Sequence, residues 1–140
     1  MARTAAWLAK QVEIGLATAD LSPSQYRVLG LLDEHSSAVS SDLAERLAVR
    51  PPSVTAIIDG LVGRGLVERR NVAADRRQVD HVLTPAGRRT LDTADRAVSA
   101  RLCEIAACLD DGAETAQACN GLLVWRKAFS NYRLARSAAR

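Results

Sequence analysis

The residues of this sequence best suited to chemistry are arginines and small hydroxyl residues in its middle third. Guanidinium groups bind phosphates and guanine edges, and hydroxyl groups hydrogen-bond to either phosphates or bases. Their types and spacing favour binding to double-stranded DNA over catalysis. The predicted DNA-binding residues among them are Arg50, Ser53, Thr55, Arg69, Arg70, Arg76 and Arg77.

No catalytic, cofactor or metal site is predicted, and we do not expect an enzyme. Cys103, Cys108 and Cys119 lack C-x-x-C spacing and a nearby histidine, and they are interpreted as small, reduced, buried apolar residues. His35 and His81 stand alone and are interpreted as ordinary surface or loop residues. The chain shows no serine–histidine–aspartate set, phosphate loop or paired carboxylates in an apolar setting.

Composition indicates a soluble globular chain. Of its 140 residues, 48% are hydrophobic and 25% charged, and all but two of the 19 basic residues are arginine. The net charge of +3 and the pI of about 9.1 fit a polyanionic partner. No apolar run approaches the roughly 20 residues of a membrane span, and the N-terminus does not resemble a signal peptide. We therefore expect a cytoplasmic protein without membrane contact.

Helical patterns fill the first half of the chain. Apolar spacing predicts a first helix over residues 5–19, and Ser22 followed by proline and Gln25 predicts a capped second helix ending near Glu34. Asp42 and Glu45 have the spacing of another capping box, opening a short helix to about Ala48.

Residues 51–63 carry the clearest amphipathic pattern. Val54, Ile57, Ile58, Leu61 and Val62 form one apolar stripe, and the opposite face carries only short side chains and Asp59. Two short helices joined by the turn at Val49 and Arg50 predict a helix-turn-helix.

After residue 65 the helical spacing of apolar residues ends, and the pattern is that of a β-hairpin. Residues 66–70 and 79–84 are read as two strands joined by a long polar tip over 71–78. A long helix is predicted from Thr84-Pro85 to residue 109, with heptad-like apolar spacing that Asp95 interrupts, and a last helix over 113–135. A helix about 37 Å long at 1.5 Å per residue needs a partner surface.

The order of these elements and three stretches of sequence resemble the MarR family of bacterial transcriptional regulators. The stretches are SDLAERLAVRPPSVTAIIDGLVGRGLVERR, the wing loop ADRRQ and the junction HVLTPAG. The resemblance implies a mainly α fold with a small β-hairpin wing: a winged helix-turn-helix plus a helical dimerisation region. It also implies three parts: a dimerisation helix over 1–20, a DNA-binding domain over 21–87 and dimerisation helices over 88–140.

The resemblance assigns roles to the wing. Arg77 is expected to enter the minor groove, Asp75 to orient it by an ion pair and Arg76 to contact phosphate. Ser53 is open to two interpretations, a DNA contact or only a helix N-cap, and Thr55 either contacts DNA or is merely solvated. One of Arg69 and Arg70 could instead close an ion pair with Glu68 or Asp75. Ala56 stands where members of the family often carry a larger polar residue, which places more weight on the wing.

The resemblance further implies a homodimer on a palindromic operator, and a small aromatic or anionic effector. The predicted interface residues, which could equally be intrachain core, are Trp7, Leu8, Leu102, Leu109, Leu122, Leu123, Trp125 and Phe129. Two alternatives remain: a cysteine-based redox-sensing regulator of the same fold, and a winged-helix module that binds protein. The second leaves the wing arginines without a role.

Overall fold

The computed structural model describes residues 1–72 and 75–138, without the side chains of 72, 75–78, 133–134 and 136–138. The described part is mainly helical with one small sheet, as predicted. Its elements are α1 (Ala2–Leu16), a short 3-10 helix (Ala17–Ala19), α2 (Pro23–His35), β1 (Ala38–Val39), α3 (Ser40–Leu47), α4 (Pro51–Gly63), β2 (Val67–Val72), β3 (Asp75–Leu83), α5 (Pro85–Ala106) and α6 (Gly112–Ala138).

The start of α2 confirms the predicted capping box. The backbone N–H of Gln25 donates to Ser22 Oγ at 3.2 Å, and the N–H of Ser22 donates to Gln25 Oε1 at 3.0 Å. Pro23 occupies the first helical position, where a missing N–H costs nothing. Local sequence alone therefore determines where this helix begins.

The start of α3 differs from the prediction. Asp42 and Glu45 do not form a capping box, because α3 begins at Ser40 and Val39 is its N-cap, without a side-chain hydrogen bond. The preceding chain is held instead by pairing of β1 with β3. Sheet pairing has thus moved the start of the helix ahead of the local signal.

Helices α2, α3 and α4 enclose the core of the winged helix. Each turns a leucine- or isoleucine-rich face inward, as the amphipathic spacing predicts. The fully buried side chains here include Val28, Leu29, Leu32, Leu43, Val54, Ile58 and Leu61. This burial leaves the opposite faces of α3 and α4 exposed.

The sheet is antiparallel with the order β1-β3-β2. Arg69 pairs with His81 across the hairpin, and Ala38 of β1 pairs with the other edge of β3 at the same residue. The predicted hairpin is confirmed, but its long polar tip is wrong, since pairing continues to Val72 and Asp75. Near the tip, the strands continue through backbone hydrogen bonds, although their polar side chains show no alternation of apolar and polar residues that would predict a strand.

The junction between β3 and α5 is tightly built around Thr84 and Gly87. Thr84 Oγ1 donates to the Gly65 carbonyl at 2.7 Å and accepts from the Gly87 N–H at 3.0 Å, so Thr84 caps α5 as predicted. A Cβ atom on Gly87 would lie 2.0 Å from the Leu66 carbonyl oxygen. Only glycine allows this close approach of helix and hairpin.

The chain divides into two compact units, Met1–Val98 and Ser99–Arg140, with the boundary inside α5. The first contains α1 and the winged helix. In the second, α5 ends at Ala106, three residues earlier than predicted, and Thr115 of α6 donates to the Ala106 carbonyl at 3.2 Å. Among the described helices, none combines the length and apolarity needed to cross a membrane.

Candidate nucleic-acid interface

The N-terminal half of α4 exposes the short polar side chains predicted for DNA contact. Val54, Ile58 and Leu61 are buried, whereas Ser53 and Thr55 are exposed on the other face. Thr55 Oγ1 donates to the Pro51 carbonyl at 3.3 Å, which leaves its lone pairs open to a donor. The exposed edge therefore has hydroxyl groups and, in its first turn, no acidic residue.

Arg50, not Ser53, is the N-cap of α4. It has extended backbone angles and no capping side-chain bond, and Ser53 lies in the first turn, so the interpretation of Ser53 as only an N-cap is wrong. Pro51 and Pro52 supply no N–H, and the N–H of Ser53 already donates to the Arg50 carbonyl at 3.0 Å. An anion here would be attracted by the helix dipole and the Arg50 guanidinium rather than by free amides.

The turn between α3 and α4 is held by a local backbone hydrogen bond and by a side chain of α2. Ala48 adopts a left-handed conformation with φ of 55°, unusual for a residue with a Cβ. The N–H of Val49 donates to the Ala44 carbonyl at 3.1 Å, and Arg27 of α2 donates to the Leu47 carbonyl at 3.2 Å. These bonds satisfy the end of α3 and set the direction in which α4 leaves it.

The two arginines at the base of the hairpin both form ion pairs. Arg69 pairs with Asp59 of α4, and Arg70 Nε donates to Glu68 Oε1 at 2.7 Å. The expected pairing of one arginine with Glu68 is thus present, and the Arg69–Asp59 pair was not predicted. Both arginines remain exposed, Arg69 beside α4, so a phosphate can compete for either guanidinium.

The wing residues Asp75, Arg76 and Arg77 begin β3, but their side chains lie outside the described residues. Their expected roles stay predictions.

His81 is buried at the base of the wing, so its interpretation as a surface or loop residue is wrong. Its side chain is 3% exposed, and its Nε2 lies 2.8 Å from Ser40 Oγ at the start of α3. Burial lowers the pKa of this histidine, as does the nearby Arg69 cation, while Asp80 and Asp59 act in the opposite direction. Its place in the alternation of β3 was the signal that could have revealed it. His35 is exposed, as expected, and accepts a hydrogen bond from Arg46 at 2.8 Å.

None of the eight predicted dimer residues is buried within the chain: six are exposed, and Leu8 and Leu102 are half-buried. Trp7 of α1 is 71% exposed, and in α6 Leu123 and Phe129 are about 60% exposed. Trp125 and Phe129 stack on each other with ring centroids 5.7 Å apart. The described part of α6 thus exposes aromatic and leucine side chains.

The cysteines differ from expectation in their exposure. Cys103 and Cys108 are exposed and Cys119 is half-buried, so none is a buried apolar residue. Among the described residues, no three His, Cys, Asp or Glu side chains are grouped as metal ligands.

Comparison with known sequences places the similarity in the winged helix. Residues 21–79 match the sequence model of the MarR family. The HTH-type transcriptional repressor MdtR of Bacillus subtilis (strain 168) is 39% identical over 67 residues, which are 48% of this chain and 43% of that protein. The chain spans less than half the length of the curated relatives it matches.

Similarity to solved structures extends over most of the chain. The transcriptional repressor CouR, solved bound to a 23-mer DNA duplex, is 29% identical with a TM-score of 0.73, covering 89% of this chain and 87% of CouR. YusO from Bacillus subtilis is 25% identical with a TM-score of 0.74, covering 90% and 89%.

Proposed function

We propose that this chain, whose residues 21–79 match the sequence model of the MarR family, is a transcriptional regulator that binds double-stranded DNA sequence-specifically. The observation that carries the proposal is the exposed edge of α4. Arg50, Ser53 and Thr55 face outward there, while the apolar side of the helix is buried. A helix presented in this way fits the major groove of B-DNA.

The wing supplies the second set of contacts. Arg69, which pairs with Asp59 of α4, and Arg70 are both exposed at its base and reach phosphates flanking the groove. Arg77, oriented by Asp75, enters the adjacent minor groove, and Arg76 contacts phosphate. The structure of the similar protein CouR bound to a DNA duplex supports DNA as the partner.

The protein acts as a homodimer on a palindromic operator. Exposed apolar residues in each unit support this, because Trp7 in the first unit and Trp125 and Phe129 in the second are costly to leave in water unless a partner covers them. Two winged helices related by a two-fold axis address half-sites about one helical turn apart. In this arrangement residues 1–20 and 88–140 dimerise, and residues 21–87 bind DNA.

The regulator is a ligand-responsive repressor in the cytoplasm of a bacterium. MdtR and CouR are both described as repressors, which supports repression here. A cleft of about 420 Å³ in the first unit is lined by Arg89 and the hydroxyl groups of Thr18, Thr90 and Thr93. One cation among hydroxyl groups suits a small anionic or aromatic acid effector, although Asp20 also lines the cleft.

Two substitutions at the start of α4 test the DNA contact. Thr55→Ala removes an exposed hydroxyl and is expected to cost about 1–3 kcal/mol of specific binding if the group contacts a base. Arg50→Ala removes a cation without removing a capping hydrogen bond, because the Arg50 side chain makes none, and it should lower the salt dependence of binding by about one unit. Both are measured by fluorescence anisotropy on the bound duplex at several salt concentrations.

Lys10→Ala is the matched charge control, since Lys10 is exposed on α1 and pairs only locally with Glu13 at 3.0 Å. It should leave the salt dependence unchanged. If Arg50→Ala and Thr55→Ala bind as Lys10→Ala does, α4 does not carry the DNA contact.

A further inference from the structure

The buried imidazole of His81 links three parts of the winged helix. It lies in β3, opposite Ala38 of β1 on one side and Arg69 of β2 on the other. Its Nε2 is 2.8 Å from the hydroxyl oxygen of Ser40, the first residue of α3. Wing, sheet edge and the first helix of the helix-turn-helix therefore meet at one side chain.

The same imidazole has an unsatisfied nitrogen. Among the described residues, His81 Nδ1 is the buried side-chain atom without a hydrogen-bond partner. A neutral ring bonds Ser40 through Nε2 in either tautomer, because a hydroxyl both donates and accepts. A protonated ring would add a charge and a second N–H with no acceptor in a site that is 3% exposed.

The charged groups facing His81 do not offer the missing acceptor. The positive charge of Arg69 in β2 disfavours protonation of His81, and the carboxylate that pairs with Arg69 is Asp59 of α4. Asp80, the chain neighbour in β3, attracts a proton electrostatically but accepts a hydrogen bond from Ser37 Oγ at 3.0 Å. The cost of burying the protonated ring is therefore removed most easily by moving the ring into water.

We propose that His81 is a positioning residue of the DNA interface: its neutral ring holds the wing against the start of α3, and its protonation separates them and weakens DNA binding. The separation breaks the Ser40 contact and the pairing of β1, which is only two residues long. Simultaneous fit of α4 and the wing to DNA then fails. This inference rests on the proposed DNA-binding function.

The direction of the pH effect follows from the pKa. The folded protein lowers the pKa of His81 below 6.5. The arrangement in which the wing is held against the start of α3 therefore loses stability as the pH falls from about 6.5 through that lowered value. An added proton acting only through net charge would instead strengthen binding to a polyanion. The two accounts predict opposite signs.

The test is fluorescence anisotropy of the full chain on its selected duplex, from pH 7.5 to pH 5.0 at constant ionic strength. We expect the affinity of the unmodified protein to fall at least about fivefold between pH 7 and pH 5, within the limit of tenfold per pH unit for one proton. His81→Gln keeps an amide group for Ser40 but cannot titrate, and its affinity should not fall. His35→Gln is the matched control, because His35 is the other of the chain's two histidines, and it should keep the fall.

A His81→Gln protein whose affinity falls as that of the unmodified protein does would overturn the inference. Hydrogen exchange without DNA gives a second measurement. Corrected for intrinsic rates, the amides of residues 38–40 and 79–83 should lose protection at pH 5 relative to those of α4, and equal protection would overturn the inference even if His81→Gln does not fold. If no duplex is bound at pH 7, the proposed function fails, and the exchange measurement still decides whether His81 holds the wing.

Discussion

The hydroxyl of Tyr26 in α2 donates a hydrogen bond of 2.5 Å to Asp95 Oδ1 in α5. Asp95 interrupts the apolar heptad spacing of α5, and this bond gives the interruption a structural role. An ion pair between Asp33 and Arg88 connects the same two helices. Burial raises the pKa of Tyr26 above its ordinary value, and the bond to the Asp95 carboxylate raises it further. The tyrosine therefore remains a hydrogen-bond donor throughout the neutral pH range.

Tyr26→Phe should lower the free energy of unfolding by about 1–2 kcal/mol, since it removes a hydrogen bond to a charged group that is partly exposed to water. Urea unfolding at one fixed protein concentration measures the change. Asp95→Asn keeps an acceptor oxygen and should cost less. Equal stability of Tyr26→Phe and the unmodified protein would show that the bond contributes nothing.

Gly87→Ala should destabilise the protein by about 3 kcal/mol, because the new Cβ would meet a backbone oxygen that has no free rotation to escape. Gly30→Ala is the matched control. Position 30 lies inside α2 with open space around its Cβ, and alanine there should stabilise by about 0.5–1 kcal/mol. Thermal or urea unfolding of both variants measures the two changes in stability. A Gly87→Ala protein as stable as Gly30→Ala would contradict the close approach of Gly87 to the Leu66 carbonyl oxygen.

How far sequence predicts this fold depends on whether a signal is local. Helix α4 and the cap of α2 follow from amphipathic spacing and from Ser22 and Gln25, which act within one turn. Strand β1 has two residues, too few to show an alternation, and it exists only because β3 passes beside it.

The candidate site divides in the same way. The exposed edge of α4 follows from the helical period, whereas the Arg69–Asp59 pair and the burial of His81 depend on the hairpin packing against α3 and α4. The two contacts join residues ten or more positions apart, so no local pattern predicts them, and only the alternation of β3 points to the burial of His81.

Asp75→Ala distinguishes an oriented wing from a simple positive patch. The variant is more basic, so net charge alone predicts tighter DNA binding, whereas loss of the support for Arg77 predicts weaker binding. We expect weaker binding, measured by anisotropy on the operator duplex. Arg77→Ala serves as the comparison, with a salt dependence about one unit lower. Tighter operator binding by an Asp75→Ala dimer would show that Asp75 does not orient Arg77.

Mild oxidation with peroxide should leave DNA binding intact. Cys103 and Cys108 are exposed, but they belong to the second compact unit and not to α4 or the wing. A gel-shift titration with and without peroxide checks this. Release of DNA on oxidation, abolished by Cys103→Ser or Cys119→Ser, would instead support the redox-sensing alternative.

Selection of bound duplexes from a random DNA pool, followed by sequencing, decides whether this chain binds DNA sequence-specifically. We expect enrichment of one palindromic site with half-sites about one helical turn apart. Thr55→Ala should relax the preference within each half-site, while Lys10→Ala should not. A pool that stays random after repeated rounds, although the protein is folded, would contradict sequence-specific DNA binding by this chain.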